Sequence, residues 1–297
     1  MENELLKLDS RWKQCSHLYW ILLGDDVKEF YYVVTQAGEK NTLAQLDGYL
    51  NIMINVLNLP RGARPPPNCK LFFVDSGGFS FFQRRFKDYP FSPGEYLQKI
   101  EKLKPDFFAS MDIPCEPEIV QRLGTSVHHN IQKTIENQIK LLDVLDEISL
   151  ESVMIPVIQG YELEDYLTCI DLMREQGLMT DYMAIGSICR RGPAGPMVKI
   201  IISIKRLLRI KLHAFGVKIP VLKNKACFDA LYSTDSAAWH YEAQFRCERK
   251  DHIHRHIKDP KKRRLAVTRD WKARLDDIIA QHNRFFETQR RLEFEQI

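Results

Sequence analysis

Short apolar runs alternate with longer stretches of helical period through most of this chain, and that alternation restricts the fold more than any other feature. The runs are Lys70–Val74, Phe107–Met111, Val153–Ile158, Tyr182–Ile185, Lys211–Phe215 and Ala230–Thr234, with an earlier one within Leu18–Leu23 or Phe30–Val34. Between them, Val127, Ile131, Ile135, Ile139 and Leu142 step by three or four residues and form one apolar stripe. Leu163, Leu167, Ile170 and Met173 form another, Ile201, Lys205 and Leu208 flank a weaker one, and Trp271, Leu275, Ile278, His282 and Phe285 repeat the spacing near the end. Such stripes are core-facing helix surfaces and carry no functional claim. Strand–helix alternation builds a parallel sheet. The number of runs, and the lack of a GxGxxG after the first, favour a TIM (β/α)8 barrel over a doubly wound sheet.

Two proline- and charge-rich stretches read as loops. Arg61–Pro67 (RGARPPP) separates an N-terminal region from the first clear βα unit, and Lys258–Arg264 (KDPKKRR) precedes the terminal helix. The expected organisation is a single α/β domain: a variant N-terminal part of the barrel (1–68), a barrel core (69–250) and a basic C-terminal helical segment (251–297). At 44% hydrophobic and 28% charged residues, disordered and fibrous classes drop out. The N-terminal MENELLKLDSRWKQ is polar and no apolar run is long enough to cross a bilayer, so a cytoplasmic protein without membrane association is expected. Seven cysteines with no CxxC fit a reducing compartment. From Arg246 onward there are 15 Lys/Arg against 9 Asp/Glu. A basic end on a near-neutral body suits a polyanionic partner, although a solvated helix face would look the same.

The chemistry shows in the residues that close each run: Asp75, Asp112, Gln159, Gly186-Ser187, Gly216 and Asp235. In a barrel the C-terminal strand ends converge on one face, so these groups would meet in one pocket. Any single acid there reads more simply as a helix N-cap; the succession does not. In Asp75-Ser76-Gly77-Gly78-Phe79 the glycines admit a planar ligand close to the backbone, and Phe79 offers a face for stacking. Gln159 presents a donor and an acceptor, as a nucleobase edge does. Three acids at one mouth imply separated pKa values, one carboxylate ionised and one able to hold a proton, which is what displacing a base from a sugar requires.

DSGGF at 75–79, VIQG at 157–160, IGS at 185–187, FGVK at 215–218 and Asp235 resemble the ordered motifs of tRNA-guanine transglycosylases. MDIPCEP at 111–117, HHNIQKTIENQIKL at 128–141, GSICRRG at 186–192, LHAFGVK at 212–218 and DSAAWHYEAQFR at 235–246 resemble more fully the DNA-modifying branch, the DpdA-like DNA 7-deazaguanine transglycosylases. The likeness spans about residues 70–250, and five short motifs in order are jointly specific. It implies that Asp235 is the nucleophile on C1′ and Asp75 the general acid/base. Asp112 would accept from guanine N1–H and the 2-amino group, Gln159 would read the O6 side with Gly186 and Ser187 beside it, and Phe79 and Phe215 would sandwich the base. Arg190, Arg191 and Lys218 would contact phosphate. DNA is the implied polymer, 7-cyano-7-deazaguanine the incoming free base, and other DNA-modification enzymes the implied company. No cofactor is required for the chemistry. A transfer RNA enzyme is the alternative, followed by a non-catalytic nucleic-acid-binding barrel and a sugar hydrolase. The CxCxxC zinc pattern of the transfer RNA enzymes is missing. Cys247 with His252, His254 and His256, histidines that would share one face were the segment an extended strand, is a loose substitute for it, so a structural zinc is conceivable but not expected and no metal ligands are assigned.

Overall fold

The computed structural model describes residues 28–294 apart from 85, 149, 190, 192–193 and 247–252. Among the described residues nine parallel strands form one sheet: β1 (Glu29–Val34), β2 (Leu50–Asn55), β3 (Cys69–Asp75), β4 (Phe107–Ala109), β5 (Val153–Ile155), β6 (Val157–Ile158), β7 (Tyr182–Ile185), β8 (Lys211–Ala214) and β9 (Ser233–Ser236). Their order is β5-β4-β3-β2-β1-β9-β8-β7-β6. Only Pro156 separates β5 from β6, so the two edges of the sheet are halves of one course. β5 pairs with β4 and β6 with β7, and Ala184 donates its N–H to Pro156 O at 2.8 Å. Proline has no N–H to give a ladder. The strand changes partners there, and the sheet closes as a TIM-like barrel.

Two apolar clusters follow from the two faces of such a sheet. Tyr31, Met53, Phe73, Phe107, Ile155, Tyr182 and Ala184 belong to a cluster drawn from the strand courses, which marks the barrel interior. The alternate residues, Ile52, Val74, Phe108, Ile158, Ile185 and Leu212 among them, face outward to a larger cluster that includes Leu97, Ile131, Ile170 and Ile201 of the surrounding helices. The expected stripes lie on the helices Val127–Leu145, Leu163–Glu175 and Ala194–Leu208, facing this outer core. The terminal helix Pro260–Phe294 buries Trp271, Leu275 and Ile278, with Trp271 against Phe30 at 5.3 Å and Tyr32 at 5.7 Å. It therefore covers β1 as a barrel helix does.

Three expectations need correction. The last strand is Ser233–Ser236, because Lys225–Ala230 is a helix capped by the Asn224 side chain. The Lys258–Arg264 stretch is helical from Pro260: Asp259 Oδ1 accepts from the N–H groups of Lys261 (2.8 Å) and Lys262 (3.2 Å), and proline suits a first helical turn. Strand β2 is absent from the expected set, since LNIMIN has asparagines at its inward positions. Of the two early candidates, Phe30–Val34 falls in β1, and Leu18–Leu23 lies outside the described residues. No helix among the described residues is long and apolar enough to cross a membrane.

Candidate active site

Strand alternation carries three of the expected residues to the barrel mouth. Asp75 follows Leu71 and Phe73, Gln159 follows Ile155 and Val157, and Asp235 follows Ser233, all on the inward parity. Asp112 lies three residues past the end of β4 and is tied to this group by hydrogen bonds from Gln159 and from Ser76, the neighbour of Asp75.

One side of the mouth is a closed network around Asp112, which is buried. Its Oδ1 accepts from Ser76 Oγ at 2.8 Å, its Oδ2 from Gln159 Nε2 at 2.5 Å, and its main-chain oxygen from the Tyr89 hydroxyl at 2.8 Å. Two glycines make this approach feasible. A Cβ on Gly186 would stand 2.3 Å from Gln159 Nε2, and one on Gly78 would stand 2.6 Å from Asp112 O. Both are well inside contact distance, so neither site admits a side chain. Burial pushes the Asp112 carboxyl up from its ordinary value, against the opposing pull of Ser76 and Gln159.

Asp75 stands in register with Asn55 of β2, whose Nδ2 donates to Asp75 Oδ2 at 3.0 Å. Burial pushes the Asp75 carboxyl up to about 7, and the neighbouring Asp112 and Asp235 carboxylates add to this. Hydrogen bonds from the Gly77 backbone and Asn55 hold it down. A carboxyl tuned to this range can hold a proton near neutrality and release it within the same cycle. The influence of Asp235 on Asp75 also places the two acids in electrostatic reach of each other.

The opposite side is built on β8 and β9. Asp235 Oδ1 accepts from Gly216 N–H at 2.9 Å and pairs with His213 Nε2 at 3.1 Å. His213 is fully buried. Its Nδ1 lies 2.7 Å from Ser233 Oγ, which lies 2.6 Å from the Tyr182 hydroxyl. Donation from Tyr182 to Ser233, to His213 and on to Asp235 satisfies this chain with a neutral imidazole. Both bonds to the carboxylate fall on Oδ1.

Phe215 lies edge-on to His213, ring centroids 4.7 Å apart, against the inner core. Phe79 sits on the short helix Gly78–Phe82, partly buried against the outer core. Arg191 is held inward: its guanidinium lies 4.3 Å over the Tyr161 ring and donates to Tyr161 O. Lys218 is exposed at the start of helix Ile219–Leu222. Arg190, Cys247 and His252 lie outside the described residues. Ile253–His256 is a 3-10 turn and not an extended strand, with His254 against Asp270 of the terminal helix at 2.5 Å and His256 against Ile253 O at 2.8 Å. A cleft of about 1350 Å³ lies between the barrel and the terminal helix; Gly216, Ser236, Lys218, Tyr241, Arg246 and Arg274 are on its lining, and Asp75, Asp112, Gln159 and Asp235 are not. Near it Tyr241 and Phe245 are each 56% exposed, with ring centroids 5.0 Å apart.

Asn55, Ser76, Tyr89 and His213 are site residues that the sequence does not single out. The available signal for His213 is its inward parity two residues before Phe215 in LHAFGVK. For Ser76 it is adjacency to Asp75. Tyr89 reaches in from a loop and leaves no local sign.

Comparison with known families finds a match to the family model described as DpdA, DeoxyPurine in DNA protein A, over residues 52–291. That span starts within β2 and ends within the terminal helix, so it takes in the whole mouth. No curated protein matches the chain.

Proposed function

The chain belongs to the DpdA family, DNA-modification proteins of the tRNA-guanine transglycosylase-like kind, and on that premise we propose that it replaces guanine in DNA by 7-cyano-7-deazaguanine through a glycosyl ester on Asp235. The observation that carries the reading is the pairing of two unlike carboxyls at one mouth. Asp75 is pushed up to about 7 by burial, while Asp235 takes a backbone N–H and an imidazole on one oxygen only. The first can give up a proton as the second attacks.

In the forward half-reaction Asp235 Oδ2 bonds to C1′ and the C1′–N9 bond breaks. Its electron pair stays with guanine, which takes a proton from Asp75. In the second half the incoming base loses its N9 proton to Asp75 and attacks C1′, and Asp235 regains its electron pair. Bonds made and broken are alike on both sides, so no nucleotide cofactor has to drive the exchange. Asp112 would accept from N1–H and the 2-amino group, and a Gln159 N–H would donate to O6. Phe79 and Phe215 would flank the ring. The target base must leave the stack to enter, at a cost of a few kcal/mol. The cleft between the barrel and the terminal helix, with Lys218 and Arg246 on its lining, supports a path for the strand there.

The test is incubation of the protein with labelled 7-cyano-7-deazaguanine and either DNA or transfer RNA, followed by nucleoside analysis. Label in intact DNA is the expected result. Label only in transfer RNA would reassign the polymer, and abasic sites without label would make the protein a hydrolase.

A further inference from the structure

Beyond Asp112 and Gln159 the network continues to a carboxyl that no step above uses. Glu116 is 3% exposed, and its Oε2 lies 2.8 Å from Ser187 Oγ. The same Ser187 oxygen lies 2.7 Å from Gln159 Oε1 and accepts from Cys115 N–H at 2.8 Å. Ser187 is held at φ 52°, a left-handed conformation uncommon for serine, so its hydroxyl is placed at some conformational cost. A hydroxyl has one hydrogen and two lone pairs. Here one lone pair serves Cys115, and two oxygens remain, each close enough to need a hydrogen between it and Oγ. Ser187 can supply only one.

From this count we infer that Glu116 is kept protonated and acts as a positioning residue, donating to Ser187 so that Ser187 donates to Gln159 and Gln159 donates to Asp112. Every atom is then satisfied, and Asp112 is left ionised with Gln159 presenting its NH₂ toward the base. Were Glu116 ionised instead, either two bare oxygens would face each other at about hydrogen-bond distance or the Gln159 amide would have to turn over. A turned amide sets its oxygen against Asp112, and Asp112 must then take up the proton and lose an acceptor that guanine N1–H and the 2-amino group require. One proton is thus partitioned between the two ends of the chain, and its place decides whether the pocket suits a 6-oxopurine. The surroundings agree: burial pushes Glu116 up to about 7, with Asp112 and Glu118 adding to it and Ser187 opposing. Cys115 and Tyr166, the other titratable groups in its field, are themselves raised by burial and stay neutral.

The inference rests on the base-binding role proposed above, so its test separates binding from chemistry. Labelled guanine binding is measured by equilibrium dialysis for the full chain, for Glu116→Gln and for Glu116→Ala, with circular dichroism melts to check folding. Glutamine keeps a donor where the protonated acid had one, so Glu116→Gln should bind guanine within about threefold of the parent. Glu116→Ala leaves Ser187 and Gln159 misdirected and should bind about 10- to 100-fold more weakly, the usual scale for an unsatisfied buried group. An Asp75→Asn background removes the other carboxyl poised near 7. In it, affinity should decline above about pH 7 with Glu116 present and stay level once Glu116→Gln is added. If the parent binds no guanine, the base-binding role fails. If the parent binds and Glu116→Gln loses as much affinity as Glu116→Ala, Glu116 works as an anion and this inference is overturned, as it is if neither variant changes affinity.

Discussion

The two sides of the barrel mouth solve opposite problems. On the side of β3, β6 and β7, Asp112 has a partner on each oxygen, 2.8 Å and 2.5 Å away, and the chain runs on through Gln159 and Ser187 to Glu116. On the side of β8 and β9, Asp235 is tethered through one oxygen, by Gly216 N–H at 2.9 Å and His213 at 3.1 Å. A fully bonded carboxylate is rigid and makes a good template, because reading a base requires donors and acceptors fixed in advance. A half-bonded one keeps an oxygen free of these bonds, and on the proposed mechanism that oxygen is the nucleophile, held in aim by Gly216 and His213. If the proposed roles hold, recognition and attack are built on separate sides of the mouth, and each should be breakable without the other.

The sharpest break is Asp235→Asn, which keeps the shape of the β9 end but has no anionic oxygen. Exchange of labelled base into DNA should fall about 10³-fold or more, while guanine binding by dialysis stays within about threefold. Comparable losses in both assays would mean the two sides are one unit. The complementary break is Asp112→Ala. It strands Ser76 and Gln159 and removes the acceptor for the base, so guanine affinity should drop about 100-fold while the Asp235 tether, on other strands, stays intact. Unchanged guanine binding in this variant would remove the Asp112 side from recognition altogether.

A third change leaves both sides alone and probes the cleft between barrel and terminal helix. Replacing the exposed Tyr241 and Phe245 together by alanine should weaken single-stranded DNA binding about tenfold, on the scale of one lost base–aromatic stack. Free guanine should bind as before. Fluorescence anisotropy with a labelled oligonucleotide reads the first and dialysis the second. Equal binding by parent and variant would show that the strand takes another path.

Asp75, Gln159 and Asp235 are legible in the sequence because a strand of period two, ending in a polar residue, aims that residue into a barrel. Asp112 is legible as an acid after a strand, although β4 ends three residues earlier and a hydrogen-bond network sets its aim. The partners are not legible, and the reason is physical. Asn55 matters because β2 pairs with β3 in a register that sets it against Asp75, and register is a property of two segments. LNIMIN, read alone, has no clean alternation, since Asn51 and Asn55 occupy inward positions that other strands fill with apolar groups. His213 in LHAF resembles any core histidine until Ser233 and Asp235 of the next strand flank it. The terminal stripe of Trp271, Leu275 and Ile278 predicts a buried face, but only the structure identifies β1 as what it covers.

Asn55 also permits the finest test of the contrast, because it touches Asp75, the acid whose protonation changes in the proposed exchange. Its Nδ2 stabilises the ionised form of Asp75, so Asn55→Ala should raise that carboxyl further above about 7. The sign follows for activity. In the proposed mechanism protonated Asp75 is the form that releases guanine, so single-turnover release should fall above about pH 7 in the parent, and in the variant that fall should begin at higher pH. At neutral pH the rate of release should change by only about twofold. The sign for stability runs the same way. A buried acid with a raised pKa binds its proton better folded than unfolded, so stability declines as pH climbs from the ordinary carboxylate range to the folded value, then levels off. Asn55→Ala should extend that decline past about pH 7. Its side chain also caps the turn at Leu57 N–H, 2.9 Å away, a loss that applies at every pH. The quantity to compare is therefore the difference between urea midpoints at about pH 6 and about pH 8, which should be larger in the variant than in the parent. An unchanged difference, with an unchanged pH profile of release, would mean that Asn55 takes no part in tuning Asp75.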